Sequence, residues 1–125
     1  MPTTFPLIQI AFLMLAAGAC GGLLFTGLRL LRVPYPRWLG AAHGLLGLAA
    51  LATLGLALAQ APSEAPLTQA WWALGVFTAA LLGGLMFFRW RRRPNQSLVM
   101  ALMHGSLALV GLYLLYPAAF AAAPL

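Results

Sequence analysis

The chain has two histidines, and each is followed by glycine: His43-Gly44 and His104-Gly105. Imidazole ligates metals through a neutral ring nitrogen and exchanges protons near neutral pH. Both rings lie inside long apolar runs, where ionisable groups tend to have a function. The only acid, Glu64, stands apart in the polar stretch from Gln60 to Pro66. The sequence has no acid within an apolar run, no Ser/His/Asp set, no phosphate loop and no zinc-ligand spacing. The histidines therefore read as ligands or as helix–helix contacts, and the chain as a carrier or subunit rather than a stand-alone enzyme.

The elements that must position these rings are membrane helices. The 125 residues are 63% hydrophobic and 6% charged, with a mean hydropathy of +0.95. Such a composition cannot supply a water-facing surface. The net charge of +6 comes from seven arginines in two clusters, Arg29/Arg32/Arg37 and Arg89/Arg91/Arg92/Arg93. Both clusters lie between apolar runs, where topology signals and anionic-lipid contacts belong, so the charge is not a nucleic-acid signal. The single cysteine, Cys20, reads as a small packing residue. No basic residue precedes the first apolar run, which argues for a retained span rather than a cleaved signal.

Four spans are predicted. Helix 1 runs from about Pro6 to Leu28, and the two prolines of Val33-Pro34-Tyr35-Pro36 break the chain after it. Helix 2 runs from about Pro36 to Leu58, helix 3 from about Leu67 to Phe88, and helix 4 from the Pro94–Ser97 turn to about Tyr116, where Pro117 stops it. Each is long enough to cross a hydrocarbon core of about 30 Å. Trp38, Trp71, Trp72, Tyr113 and Tyr116 sit near helix ends, as interfacial anchors do. The fold class is an all-α membrane protein, a single-domain up-down bundle of four transmembrane helices over residues 1–125. The positive-inside rule makes the arginine-rich loops cytoplasmic and both termini periplasmic, with the bacterial inner membrane as the expected location.

The bundle also reads as a tandem two-helix repeat, about 6–59 and 67–116. Moving helix 1 by 62 positions lays Gly21-Gly22-Leu23 on Gly83-Gly84-Leu85; moving helix 2 by 61 lays His43-Gly44 on His104-Gly105. An even number of spans per repeat relates the halves by an axis along the membrane normal. Depth then aligns. At 1.5 Å per residue, His43, His104, Gly22 and Gly84 all lie ~8–10 Å inside the arginine-side surface. The i+4 and i+7 neighbours of His43 are Gly47 and Ala50, and those of His104 are Ala108 and Gly111. Small residues mark the packed interior of a membrane bundle, so both rings are expected to point inward and toward each other. The Gly-x-x-x-Gly of Gly40 and Gly44 reads as a helix-packing seam.

Two opposed imidazoles at one depth suit axial ligation of a haem iron. Gly22 and Gly84, with Gly44 and Gly105 beside the ligands, would leave room for a flat macrocycle. Arg29, Arg37, Arg89 and Arg91 lie at the surface where its propionates would need cations. Without Cys-x-x-Cys-His, the haem b would be non-covalent and single. A helix-borne His-Gly in each half of a four-helix membrane bundle resembles the b-type cytochromes of the cytochrome b561-like group. That resemblance covers the four spans and implies electron transfer with other membrane redox subunits, a homodimer partner or a quinone. Members of that group usually carry more histidines and often two haems, whereas this chain supplies one bis-histidine site. Three other readings compete: a cofactor-free structural subunit, a chlorophyll-type pigment on each histidine, and copper bound by Met100, Met103 and His104. A glycine-arginine similarity to small four-helix fluoride channels fails for want of pore-lining polar groups.

Overall fold

The computed structural model describes residues 5–63, 65–89 and 94–120, with side chains for 6–63, 65–86 and 98–120. The described residues form four helices: α1 (Phe5–Leu30), α2 (Trp38–Ala59), α3 (Thr68–Arg89) and α4 (Pro94–Phe120). Each contains a stretch long and apolar enough to cross a membrane. Their outward faces carry Leu23, Leu24, Leu45, Leu48, Leu82, Leu102 and Leu109, all exposed. That is the inverted arrangement a lipid solvent calls for. The aromatic anchors Trp38, Trp71, Trp72, Tyr113 and Tyr116 are also exposed.

The helices contact one another only around the ring α1–α2–α3–α4–α1, so α1/α3 and α2/α4 form the two diagonals. Short connections between successive spans force neighbours to run antiparallel. Each helix buries one narrow seam. On α1 it runs through Ile8, Ala11, Leu15 and Gly18, and on α3 through Ala70, Ala73, Phe77 and Ala80. These two sets are related by the 62-residue shift. On α2 the seam holds Ala50, Leu54, Ala57 and Leu58, and the 61-residue shift carries it to Gly111, Leu115, Ala118 and Ala119 on α4. All of the latter are buried except the half-buried Ala118. Spacings of three and four along a seam are those of bundle packing with interdigitating side chains. The buried positions of the first two helices thus fall on those of the last two at these same shifts.

The two ends of the bundle differ. The core lies in the half near the termini and the α2–α3 connection, where Ile8, Leu54 and Leu115 are fully buried. In the arginine-side half, no described residue between 19 and 49 or between 81 and 110 is buried. The aromatic trio Phe12, Tyr116 and Phe120 closes the terminal end, with ring centroids 5.0–6.1 Å apart.

Some expected boundaries move. α1 continues two residues past Leu28 and closes with a left-handed cap: Val33 N–H donates to Leu28 C=O at 2.8 Å and Arg32 N–H to Arg29 C=O at 3.1 Å. Arg32 holds the left-handed position, at φ 58°, which glycine usually fills. α2 starts at Trp38, because Pro36 and Arg37 form only a lead-in turn, with Leu39 N–H bonded to Pro36 C=O at 3.2 Å. Pro117 does not stop α4; the helix runs through it to Phe120. Proline removes one N–H near a helix end at modest cost. The last turn is held by Ala119, which is buried and whose carbonyl accepts a 3.0 Å bond from Gln9 Nε2 of α1. Cys20 is exposed on the outer face of α1 rather than packed, since it lies two residues beyond Gly18, off the buried seam.

Candidate functional site

The site is built where the seams of α2 and α4 continue into the open half. Seven residues, two turns, separate His43 from Ala50 and His104 from Gly111. Each ring therefore continues the inward stripe of its helix. The backbones of α2 and α4 are diagonal and make no contact. Their imidazoles bridge the gap, with centroids 6.1 Å apart and planes 63° to each other.

His104 is the more tightly held of the two. Its Nδ1 lies 2.8 Å from Ala80 C=O on α3. A carbonyl only accepts, so Nδ1 carries the proton, which in a neutral ring leaves the lone pair on Nε2. The ring reaches that carbonyl because Gly84, one turn later on α3, has no side chain. A Cβ there would stand 3.1 Å from His104 Cε1 and 3.3 Å from Nδ1. His43 lies over the equivalent glycines of α1 more loosely. A Cβ on Gly22 would be 3.5 Å from its Cε1, and one on Gly21 would be 3.7 Å from its Nδ1. Phe25 meets His43 edge-on at 5.7 Å and stacks on Tyr35 of the α1–α2 connector at 5.5 Å and 16°.

The glycines thus have a more immediate task than clearing a macrocycle's rim: Gly22 and Gly84 seat the imidazoles. Gly44 and Gly105 border open space, with nothing within 4 Å of a Cβ at either. Within the chain, Gly44 therefore makes no close approach to another helix. Arg29 and Arg37 are exposed at the same end of the bundle. Arg89 ends α3, but its side chain, like the whole of Arg91, lies outside the described residues. Met103 is turned outward at 63% exposure, away from any inward site shared with His104.

The donor set can be tested against candidate metals. Among the described residues no cluster of three or more His, Cys, Asp or Glu side chains is present. Two imidazoles alone leave a bare ion under-coordinated, whereas a macrocycle brings its own in-plane nitrogens and needs only axial partners. The two ring centres lie 6.1 Å apart with their planes at 63°. A pair of imidazoles is the kind of donor set that a metal held by a macrocycle would take.

The Ala80 carbonyl and the Phe25–Tyr35 stack are absent from the sequence-predicted site. A backbone carbonyl leaves no trace in residue identity. Its only sequence signal is positional, four residues before a glycine at the depth of a histidine. No protein-family model matches the chain, and no curated protein or solved structure matches it.

Proposed function

We propose that the chain is an integral-membrane electron-transfer subunit that would hold one haem b non-covalently between α2 and α4 through His43 and His104. The observation that carries this reading is the meeting of two imidazoles at 6.1 Å across the diagonal of an apolar four-helix bundle. The haem supplies one-electron exchange at its iron. The chain supplies the rest. Ala80 C=O fixes the His104 tautomer with Nε2 available, and a metal-ligating histidine usually donates its other N–H in this way. Gly22 and Gly84 seat the two rings. Arg29 and Arg37, with Arg89 and Arg91 of the second cluster, pair with the propionates through charge-assisted bonds. The packed terminal half keeps water from that side of the site.

The arginine-rich loops face the cytoplasm and both termini the periplasm, in the bacterial inner membrane, following the distribution of basic residues. The short extramembrane segments leave little room for a substrate site of its own. The partners are accordingly other membrane redox subunits, a second copy of the chain, or a quinone.

A second reading has an observation in its favour. The rings meet edge to face and His104 is already bonded to Ala80, as a purely structural contact between helices would be. The visible spectrum separates the two. Protein purified after haem supplementation is recorded oxidised and dithionite-reduced, with a pyridine haemochrome assay. Sharp low-spin b-type bands at about one haem per chain are expected. A colourless protein would refute the cytochrome reading and leave a cofactor-free assembly subunit, while chlorin bands would point to a pigment-binding accessory subunit.

A further inference from the structure

The duplicated halves are alike in sequence and burial, yet the two histidines are not held alike. His104 Nδ1 donates to Ala80 C=O. The 62-residue shift that maps Gly22 onto Gly84 maps Gly18 onto Ala80, so Gly18 C=O is the matching acceptor for His43. His43 makes no such bond among the described residues. A Cβ added at Gly21 or Gly22 would meet it only at 3.7 or 3.5 Å, and its ring lies 5.7 Å from that of Phe25. A donor bond from the far ring nitrogen fixes a ligating imidazole's orientation and raises its basicity, and losing such a partner typically costs 10–100-fold in metal affinity.

We propose that His104 is the anchored ligand and His43 the exchangeable one, so that the His43 side of the site takes small neutral donors, of which carbon monoxide is the probe. The inference rests on the haem reading above. Exchange breaks one coordinate bond, from a His43 ring nitrogen, and forms one to the incoming donor; no electron changes hands. The structure permits the ring to withdraw. No residue around it in the arginine-side half is buried, and Gly44, beside it on α2, borders open space. On the His104 side, withdrawal would break the 2.8 Å bond to Ala80.

Two variants, His43→Gly and His104→Gly, are compared with the full-length protein in detergent. Expected for His43→Gly are haem occupancy within about twofold of wild type, conversion to a high-spin spectrum, and fast carbon monoxide binding in the ferrous state. Wild type should bind the gas slowly, at a rate set by departure of His43. His104→Gly should lose occupancy by at least the roughly tenfold that an outer partner is worth. Equal losses in both variants, or retention only in His104→Gly, would overturn the proposal. Wild type that takes up no haem would instead sink the reading on which it rests. A second measurement needs neither haem nor a variant: nitrogen-15 spectra of the cofactor-free protein. His104 should be a single Nδ1–H tautomer and His43 a mixture. Matching tautomer populations at the two rings would refute the inequality even where a variant fails to fold.

Discussion

Gly84→Ala and Gly22→Ala make a matched pair, because the same methyl is added at equivalent positions of the two halves. At Gly84 it would stand 3.1 Å from His104 Cε1 and 3.3 Å from Nδ1, and at Gly22 it would stand 3.5 Å from His43 Cε1. Ordinary contact begins near 3.4 Å, so His104 must withdraw by about 0.3 Å and His43 need not move. Both changes gain about 0.8–1 kcal/mol of helix propensity. At Gly84 that gain is opposed by weakening of the 2.8 Å bond to Ala80, worth about 0.5–1.5 kcal/mol. The terms nearly cancel at Gly84, and the helix gain stands alone at Gly22. Gly22→Ala is therefore expected to raise stability by about 0.5–1 kcal/mol in a denaturant titration followed by tryptophan fluorescence. Gly84→Ala should leave stability within about 0.5 kcal/mol of wild type but shift the His104 ring resonances and lower haem occupancy. Equal stabilisation by both alanines, with the His104 resonances unmoved, would refute the claim that Gly84 exists to let the ring reach the Ala80 carbonyl.

Gly111→Ala is expected to destabilise by about 1–3 kcal/mol, because its Cβ would lie 2.7 Å from two atoms of the Phe77 ring, which is only 4% exposed and has nowhere to go. Adding Phe77→Leu should recover most of that loss in a double-mutant cycle, since it recreates the Leu15 and Ala50 found 62 and 61 residues earlier on the first two helices. Arg32→Gly should stabilise by about 1 kcal/mol by relieving the left-handed φ of 58°, measured by the same titration; an unchanged or lowered midpoint would mean that the arginine side chain contributes more than its backbone costs. With Cys20 replaced by serine, Ser63→Cys should react with a membrane-impermeant maleimide added outside intact cells, and Arg32→Cys should not; the opposite pattern would invert the assigned orientation.

The four spans were legible because apolar length alone specifies them. The helix faces were harder to read. In a membrane bundle both faces are apolar, so hydrophobic periodicity carries little signal. Small residues carry it instead, and the stripe through Gly47, Ala50, Ala108 and Gly111 pointed to the side on which the histidines lie. That stripe could not reveal what each small residue accommodates. Gly111 answers to a Phe77 ring on α3, and Gly84 to an imidazole from α4; neither partner is near in sequence. Pro117 misled for a related reason. Its local rule ends a helix, but Ala119 packs into the core and receives the Gln9 amide, and those tertiary contacts keep the last turn helical.

The division of the bundle into a packed half and an open half links these details to function. Side chains of Ile8, Leu54, Phe77 and Leu115 fill the terminal half, so the interhelical spacing there is set by the protein alone. In the arginine-side half the two imidazoles lie over Gly21, Gly22 and Gly84, and no described residue of that half is buried. Membrane helices gain no hydrophobic energy from leaving lipid for one another. The arginine-side half, with no buried residue among those described, thus has contact area to gain. A macrocycle bound through both histidines would supply that contact area, and its removal should loosen this half selectively. Hydrogen exchange is then expected to be slow at the amides of Leu54 and Leu115 with or without haem. At Gly44 and Gly105 it should slow on haem binding by at least tenfold, the factor that corresponds to about 1.4 kcal/mol of local stabilisation. Equal protection at the two ends of the cofactor-free protein would show that the open half is already closed by its own side chains, and would favour the purely structural role for the histidine pair.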